Sequence, residues 1–420
     1  MTTINSKILL EYNAKFMKIA AELYSTPIST VSSRFSKLIA AHSEWCLGES
    51  YIFSSPGRIE IAGNHTDHNN GMVVAAAISL DTLAAVTTSN ESKIIIKSSG
   101  FPDVVVDIHD LEYREDERGT ANALVRGVLN SFVVKGYKIG AFSATTVSDV
   151  IKGAGVSSSA AFEILTTEIL NILYNDGKIS PIERASISQF AENVFFGKPS
   201  GLMDQAAIAL GGISFIDFEN PTAPIIKKLN WPFDDVSAVV INCGGDHCDL
   251  TQNYASIKSD MESIAKYYGE TKLRRIRKAS FYRDIKVLKN KFSGRAILRA
   301  IHYFEENERV ENIVSAIKEN NATDFFNLVN ASGLSSYTKL QNIYPEGDPS
   351  EPVALALAIV ARAEGVLASR IHGGGFAGTI LTFIDNNYKE DFIKHMCAIF
   401  GDANVFDIKI RKQGAIKLDL

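Results

Sequence analysis

Cysteine is scarce in this chain: 4 in 420 residues, at Cys46, Cys243, Cys248 and Cys397, with only two of them close together. That count and spacing exclude the dense, paired framework of a small secreted disulfide protein. Long apolar runs are also missing, since no stretch approaches the roughly 20 uninterrupted apolar residues of a membrane-spanning helix. The opening segment MTTINSKILLEYNAKFMKIAAELY interrupts its apolar residues with Glu11, Lys15 and Lys18, so it lacks the uncharged core of a secretory signal. A reducing cytoplasm is the expected location. Charge of one sign is lacking too: the formal net charge is -5, which argues against a polyanion-binding surface. One basic run, Lys272 to Lys278 (KLRRIRK), reads at helical spacing as a solvated face. Neither nucleic acid nor a membrane is expected as a partner.

What is present is an ordinary globular composition, 46% hydrophobic and 22% charged, over a length that suggests two to three domains' worth of core. Repeats, low-complexity tracts and long linkers are absent, so the parts are expected to pack closely. Residues 4–24 and 28–44 read as amphipathic helices around Pro27, making 1–48 a helical N-terminal extension. Short β-rich runs follow (YIFSS, RIEIAG, MVVAAAISL, LAAVTT, KIIIKSS). Helices are predicted near 120–135, 157–175, 181–196 and 201–210. The second half adds strands near ISFIDF, SAVVINC, LASRIH and TILTFI, interleaved with helices near 250–270, 294–319, 322–333, 351–364 and 387–399. Pro221, Pro224 and Pro232 cluster between strand-like segments. The expected fold class is therefore α+β in two lobes, residues 49–225 and 226–420.

The segment Gly153-Ala154-Gly155-Val156-Ser157-Ser158-Ser159-Ala160-Ala161 lies between a β-like run and a helix-forming run. Its glycines let a ligand approach the backbone, its serines offer hydroxyls, and the new helix presents free N–H groups to an anion. A phosphate suits it, although a loop that only caps a helix would look similar. The lysine of a Walker loop is missing, so other groups must meet the phosphate charge. A second motif, PGRIEIAGNHTDHNNG from Pro56 to Gly71, concentrates imidazoles, amides and a carboxylate, the mixture of donors and acceptors that a polyhydroxylated ligand needs. The plainer alternative is an Asx-rich turn. Arg58, inside the apolar alternation before that loop, requires an acidic partner. Asp204, in the first turn of a helix begun by Gly201-Leu202-Met203-Asp204-Gln205, is the candidate, or else a simple helix-start charge. His372 to Gly378 (HGGGFAG) is either a close-packed turn or a second loop bordering the phosphates. Cys243 to Cys248 reads as ordinary thiols in a turn rather than a metal site.

Taken together and in this order, from about residue 50 to the C-terminus, these segments resemble the galactokinase family, within the superfamily that also holds homoserine, mevalonate and phosphomevalonate kinases. The carrying patterns are PGRIEIAGNHTDHNNG, GAGVSSSAAFE, GLMDQ and GGGFAG, with Asp249-Leu250 through Tyr254 and the run His302 to Glu306 also similar. The resemblance implies a two-lobed fold with the active site between the lobes, and ATP-dependent phosphorylation of the anomeric (C1) hydroxyl of galactose. By position it implies that Asp204 and Arg58 are catalytic and that Asn64, His65, Asp67, Gly201 and Tyr254 contact the sugar. It likewise implies that Gly153, Ala154, Gly155, Val156, Ser157, Ser158, Ser159 and Ala160 hold ATP, and that Ser159 and Glu192 bind Mg2+. Small-molecule sugar and ATP are the implied partners, in a monomer or weak homo-oligomer.

Two positions depart from the family pattern: Asn64 stands where glutamate is expected and His68 where tyrosine is usual. An amide can donate as well as accept and carries no charge. That leaves a modified galactose, such as galacturonate or N-acetylgalactosamine, as the second reading, although Asp246 counts against an acidic sugar. A non-catalytic sugar sensor is the third, and the complete serine loop together with Arg58 and Asp204 argues for the enzyme.

Overall fold

The computed structural model describes residues 13–150, 155–244, 250–345, 349–376 and 378–420. The chain opens with α1 (Ala14–Leu23) and α2 (Ile28–Ser43), then β1 (Tyr51–Ala62), β2 (Met72–Thr88), β3 (Lys93–Ser98) and β4 (Val104–Asp107). Next come α3 (Ala121–Val134), β5 (Phe142–Ser148), α4 (Ser158–Tyr174), α5 (Pro181–Phe190), α6 (Met203–Leu210), β6 (Ile213–Asp217) and β7 (Ile225–Leu229). The remainder is β8 (Val236–Asn242), α7 (Thr251–Tyr267), α8 (Lys278–Arg283), α9 (Ile285–Leu288), α10 (Gly294–Lys318), α11 (Ala322–Ser335), α12 (Pro352–Val360), β9 (Val366–Ile371), β10 (Thr379–Asp385), α13 (Lys389–Phe400), β11 (Val405–Ile408) and β12 (Ile416–Leu418).

The runs read separately as YIFSS and RIEIAG are one strand, β1, although Pro56 and Gly57 lie inside it. The pairing of β1 with β2 slips at Pro56/Arg58 and again at Glu60/Ala62, and a bulge is where a sheet tolerates a residue with no N–H to donate. MVVAAAISL and LAAVTT likewise fuse into β2. Both strands are buried almost along their whole length because helices cover one face and other elements the opposite one, so polar residues do not alternate to mark a solvent side.

The first sheet runs β12-β1-β2-β5-β3-β4, with β6 paired to β2 and β7 to β6; the second runs β11-β8-β10-β9. The β3–β5 pair is parallel and the others are antiparallel. The boundary expected between residues 225 and 226 falls on the first residues of β7, and β12 returns from the far end of the chain to β1. The first sheet thus draws on both sides of that boundary. One core joins Ile59, Ile61 and Val74 of the first sheet to Ile164 and Ala206 of the helices, to Val310, Ile313 and Phe325, and to Val240 and Phe383 of the second sheet. The N-terminal helices pack Phe16, Leu23, Phe35 and Leu38 on Ile52, Leu83 and Leu418. A buried polar knot secures them: Tyr24 and Arg34 both donate to Asp81, at 2.7 and 2.6 Å.

Candidate active site

Arg58 sits at the first bulge of β1, and its side chain is 4% exposed. Its Nε and Nη2 donate to Oδ1 and Oδ2 of Asp204 at 2.8 and 2.9 Å, while Nη1 donates to the Gly155 carbonyl. This side-on fork is a geometry only arginine offers. Asp204 lies in the first turn of α6, where the helix dipole favours a carboxylate, and its Oδ2 also accepts from Ser157 Oγ. Burial would raise its pKa, but Arg58, the Ser157 hydroxyl and the nearby Lys198 outweigh burial and hold it below the usual carboxylate value. The aspartate side chain is 31% exposed, so the carboxylate stays reachable.

The glycine-serine loop delivers its residues to the same place. Gly153 and Ala154 lie outside the described residues. Gly155 has φ +63, and a Cβ there would stand 2.0 Å from Thr379 Oγ1, so the loop passes too close to β10 for a side chain. The carbonyl of Val156 accepts the Arg58 N–H at 3.2 Å. Ser157 is the N-cap of α4 with a left-handed backbone (φ 64), yet its hydroxyl goes to Asp204 and caps nothing. The N-terminus of α4, with Ser158, Ser159 and Ala160, is therefore not closed off by its own cap and has the character of an anion site.

Ser159 Oγ donates to Glu192 Oε1 at 3.2 Å, bringing together the two residues expected to bind Mg2+. Glu192 does not lie on a continuation of α5 to residue 196. The helix loosens at residue 190 into a π-helical turn, Ala191–Phe196, a distortion frequent at functional sites. Lys198 Nζ reaches the same Oε1 at 2.9 Å, and Ser200 Oγ and Gln205 Nε2 hold Oε2 at 2.5 and 2.9 Å. Beneath them Glu163 is buried, its pKa pushed well above the ordinary carboxylate value by burial and by Glu192. A hydroxyl and a carboxylate are hard oxygen donors suited to magnesium, and the lysine ammonium on Glu192 is a stand-in cation at that place. Among the described residues no cluster of three or more His, Cys, Asp or Glu could hold a metal on its own.

The sugar-signature loop between β1 and β2 is held against the second half of the chain. His65 has a left-handed backbone (φ 57) and packs on Tyr254, with ring centroids 6.4 Å apart. Burial pushes its pKa down to about 4, so it is neutral; Nε2–H donates to the Gly374 carbonyl at 2.8 Å, leaving Nδ1 as an acceptor. Asp67 accepts from the His68 and Met203 N–H groups at 2.8 and 3.3 Å, and its pKa is raised by burial and by Asp204. Gly201 lies against it: a Cβ at Gly201 would stand 1.6 Å from Asp67 Oδ2. Tyr254 Oη donates to the Gly375 carbonyl at 3.1 Å, so the C-terminal glycine motif borders the sugar loop.

Asn64 departs from expectation. The resemblance implies that it contacts the sugar, but the residue is fully buried and its amide is used up inside the protein. Nδ2 donates to Glu60 and to the Gly373 carbonyl at 3.1 and 2.6 Å, and Oδ1 accepts from Ser336 and Asn342 at 3.1 and 2.8 Å. An amide has two donors and two acceptor positions, so none is left for a ligand. The basic run also differs from its expected helical face: Leu273–Arg275 forms a 3-10 turn, and Lys272, Arg274 and Lys278 pair with Glu262, Asp217 and Glu308. Asp246, His247, Cys248 and Asp249 lie outside the described residues. Lys198, Ser200 and Gln205 escaped the sequence reading; the absence of a Walker lysine was the available signal, because it demands a cation from elsewhere and Lys198 precedes Asp204 by only six positions.

The chain is similar to known proteins in both sequence and fold. Residues 41–88 match the galactokinase galactose-binding signature, and residues 122–212 match the GHMP kinases N terminal domain. The chain is 30% identical over 362 residues to a galactokinase of Clostridium perfringens (strain SM101 / Type A), covering 84% of this chain and 90% of that protein. It is 29% identical over 373 residues to a galactokinase of Fusobacterium nucleatum, covering 83% and 89%. Lactococcus lactis galactokinase, crystallised in complex with galactose, shares the fold at a TM-score of 0.80 and 23% identity, covering 92% of this chain and 100% of that one. Methanococcus jannaschii mevalonate kinase shares it at a TM-score of 0.61 and 14% identity, covering 87% and 99%.

Proposed function

The chain belongs to the galactokinase family, and from that premise we propose that it transfers the γ-phosphoryl group of ATP to the C1 hydroxyl of galactose, giving galactose 1-phosphate and ADP. The observation that carries this reading is the Arg58–Asp204 fork, joined from the phosphate loop by Ser157 and Gly155. The O1–H bond of the sugar breaks as O1 bonds to phosphorus, the bond to the β-phosphate oxygen breaks, and ADP leaves with that electron pair. A phosphoryl group in flight is loosely bonded, so the nucleophile needs little deprotonation early. A carboxylate with a lowered pKa is a weak base, which fits Asp204 as the group that orients O1 and takes its proton late. Arg58 keeps Asp204 ionised and, with two N–H donors beyond the three in use, supplies charge to the phosphoryl oxygens.

The N-terminus of α4 and Ser157 to Ala160 fit the nucleotide's phosphates, and the hard oxygens of Ser159 and Glu192 fit magnesium, which supplies charge neutralisation at the phosphates when bound. His65 Nδ1, the free lone pairs of Asp67 and the space left by Gly201 suit the sugar's hydroxyls. Tyr254 acts there through its ring, as a wall behind His65. Asn64 shapes the loop from behind, which removes the ground for a uronic acid substrate that rested on its amide. The proposed compartment is the cytoplasm; among the described residues no helix is long and apolar enough to cross a membrane. The test is ADP release with ATP and magnesium across galactose, galacturonate and N-acetylgalactosamine, for the native chain and Asp204→Ala. Galactose is expected to turn over, and Asp204→Ala to lose at least about 10³-fold in kcat while still binding ATP. Turnover surviving that substitution would refute the role given to Asp204.

A further inference from the structure

Lys198 is a cation that the transfer step above leaves unused. It follows Gly197, the left-handed residue that ends the π-helical turn, and its ammonium lies 2.9 Å from Glu192 Oε1. That oxygen is also the acceptor for Ser159. The lysine side chain is 50% exposed against 3% for Glu192, so it reaches the carboxylate from the open side of the site. The other carboxylate oxygen is held by Ser200 and Gln205, the latter fully buried and anchored as well to Glu163. Of the donors to Glu192 among the described residues, Lys198 is the one with a long flexible stem and room to move.

We propose that Lys198 is a phosphate-binding residue that occupies Glu192 while the metal is absent and passes to the nucleotide's phosphoryl oxygens when a metal takes its place. This rests on the kinase reading. Two cations cannot share one carboxylate oxygen without repulsion, so a divalent ion between Ser159 and Glu192 displaces the ammonium. Incoming phosphates bring several negative charges to a loop that lacks a lysine at the Walker position. A flexible ammonium with three rotatable donors answers them as a point charge, the part a Walker lysine plays in other loops.

The experiment compares the native protein with Lys198→Met and Lys198→Arg. Two titrations are needed: manganese(II) alone followed by spin resonance, and ATP with saturating magnesium followed by calorimetry. Lys198→Met is expected to bind manganese more tightly than the native protein, its internal competitor being gone, and to bind magnesium-ATP about tenfold more weakly, the loss of one charge-assisted hydrogen bond. Lys198→Arg keeps most of the nucleotide affinity, and the KM for galactose stays within about twofold in both, since the sugar contacts are untouched. Unchanged nucleotide affinity in a folded Lys198→Met, or manganese affinity that is equal or weaker, would overturn the proposal. If the native chain phosphorylates no galactose, the kinase reading falls, whereas the two titrations still decide the exchange of cations on Glu192.

Discussion

Single side chains divide the labour of this site by what surrounds them. Asp204 and Asp67 are both carboxylates in one cleft, yet Arg58, Ser157 and Lys198 hold the first below its ordinary pKa while burial and Asp204 itself raise the second. The approach of Asp67 depends on a missing side chain. Gly201→Ala would force Asp67 from its bonds to the His68 and Met203 N–H groups, since the new Cβ would stand 1.6 Å from Oδ2. Steady-state kinetics are expected to show the KM for galactose raised by about tenfold or more, with ATP affinity measured by calorimetry unchanged, the pattern of lost substrate binding.

At the level of elements, the start of α4 serves two purposes through Ser157. Its left-handed backbone closes the loop and its hydroxyl is given to Asp204 instead of to the helix. Ser157→Ala is expected to lower kcat by about tenfold and to move the acidic limb of the kcat profile to higher pH, because a bond that stabilises the ionised carboxylate is gone. Ser157→Gly loses the same hydroxyl but tolerates φ 64 without strain. Its melting temperature should therefore exceed that of Ser157→Ala although its kcat is equally low. A helix that caps poorly is thus retained because its cap is used elsewhere, which also explains why propensity alone could not identify the loop's purpose.

Over the whole molecule, the sugar loop is fastened to the second half by buried charge. Arg370 Nη2 donates to Glu60 at 2.7 Å and its Nη1 to the Ile61 carbonyl at 2.8 Å, while Glu306 accepts the Gly63 N–H at 2.9 Å and pairs with Arg309. Arg370→Met leaves Glu60 buried without its ion-pair partner and should cost about 3–5 kcal/mol in urea unfolding. Glu306 is fully buried as well. Burial raises its pKa, but His302, Arg309 and Arg370 lower it further, to about 2 from 4.5. A lowered acid stabilises the fold above its unfolded value and loses that contribution as pH falls through the folded one. The destabilisation of Glu306→Gln, read by thermal melting, should hence be full at pH 6 and shrink between about pH 4.5 and about 2.

The chemistry of the segments is legible in the order of residues alone: a phosphate loop without the Walker lysine, a donor-rich turn, an arginine in need of an acid and an aspartate at a helix start. Local patterning carries this because turns, caps and periodicities involve residues only a few positions apart. Which of these groups meet and which face away depends on contacts that folding makes between distant segments. Arg58 and Asp204 are 146 positions apart, and nothing in either segment orients one toward the other. Asn64 looked like a ligand contact because amides suit sugars, but four partners spread from Glu60 to Gly373 consume it, a saturation that folding alone creates. Lys198 was silent in the sequence because a lone lysine is ordinary on a surface; it gains a role only where a π-helical turn and a buried carboxylate bring its charge to the site.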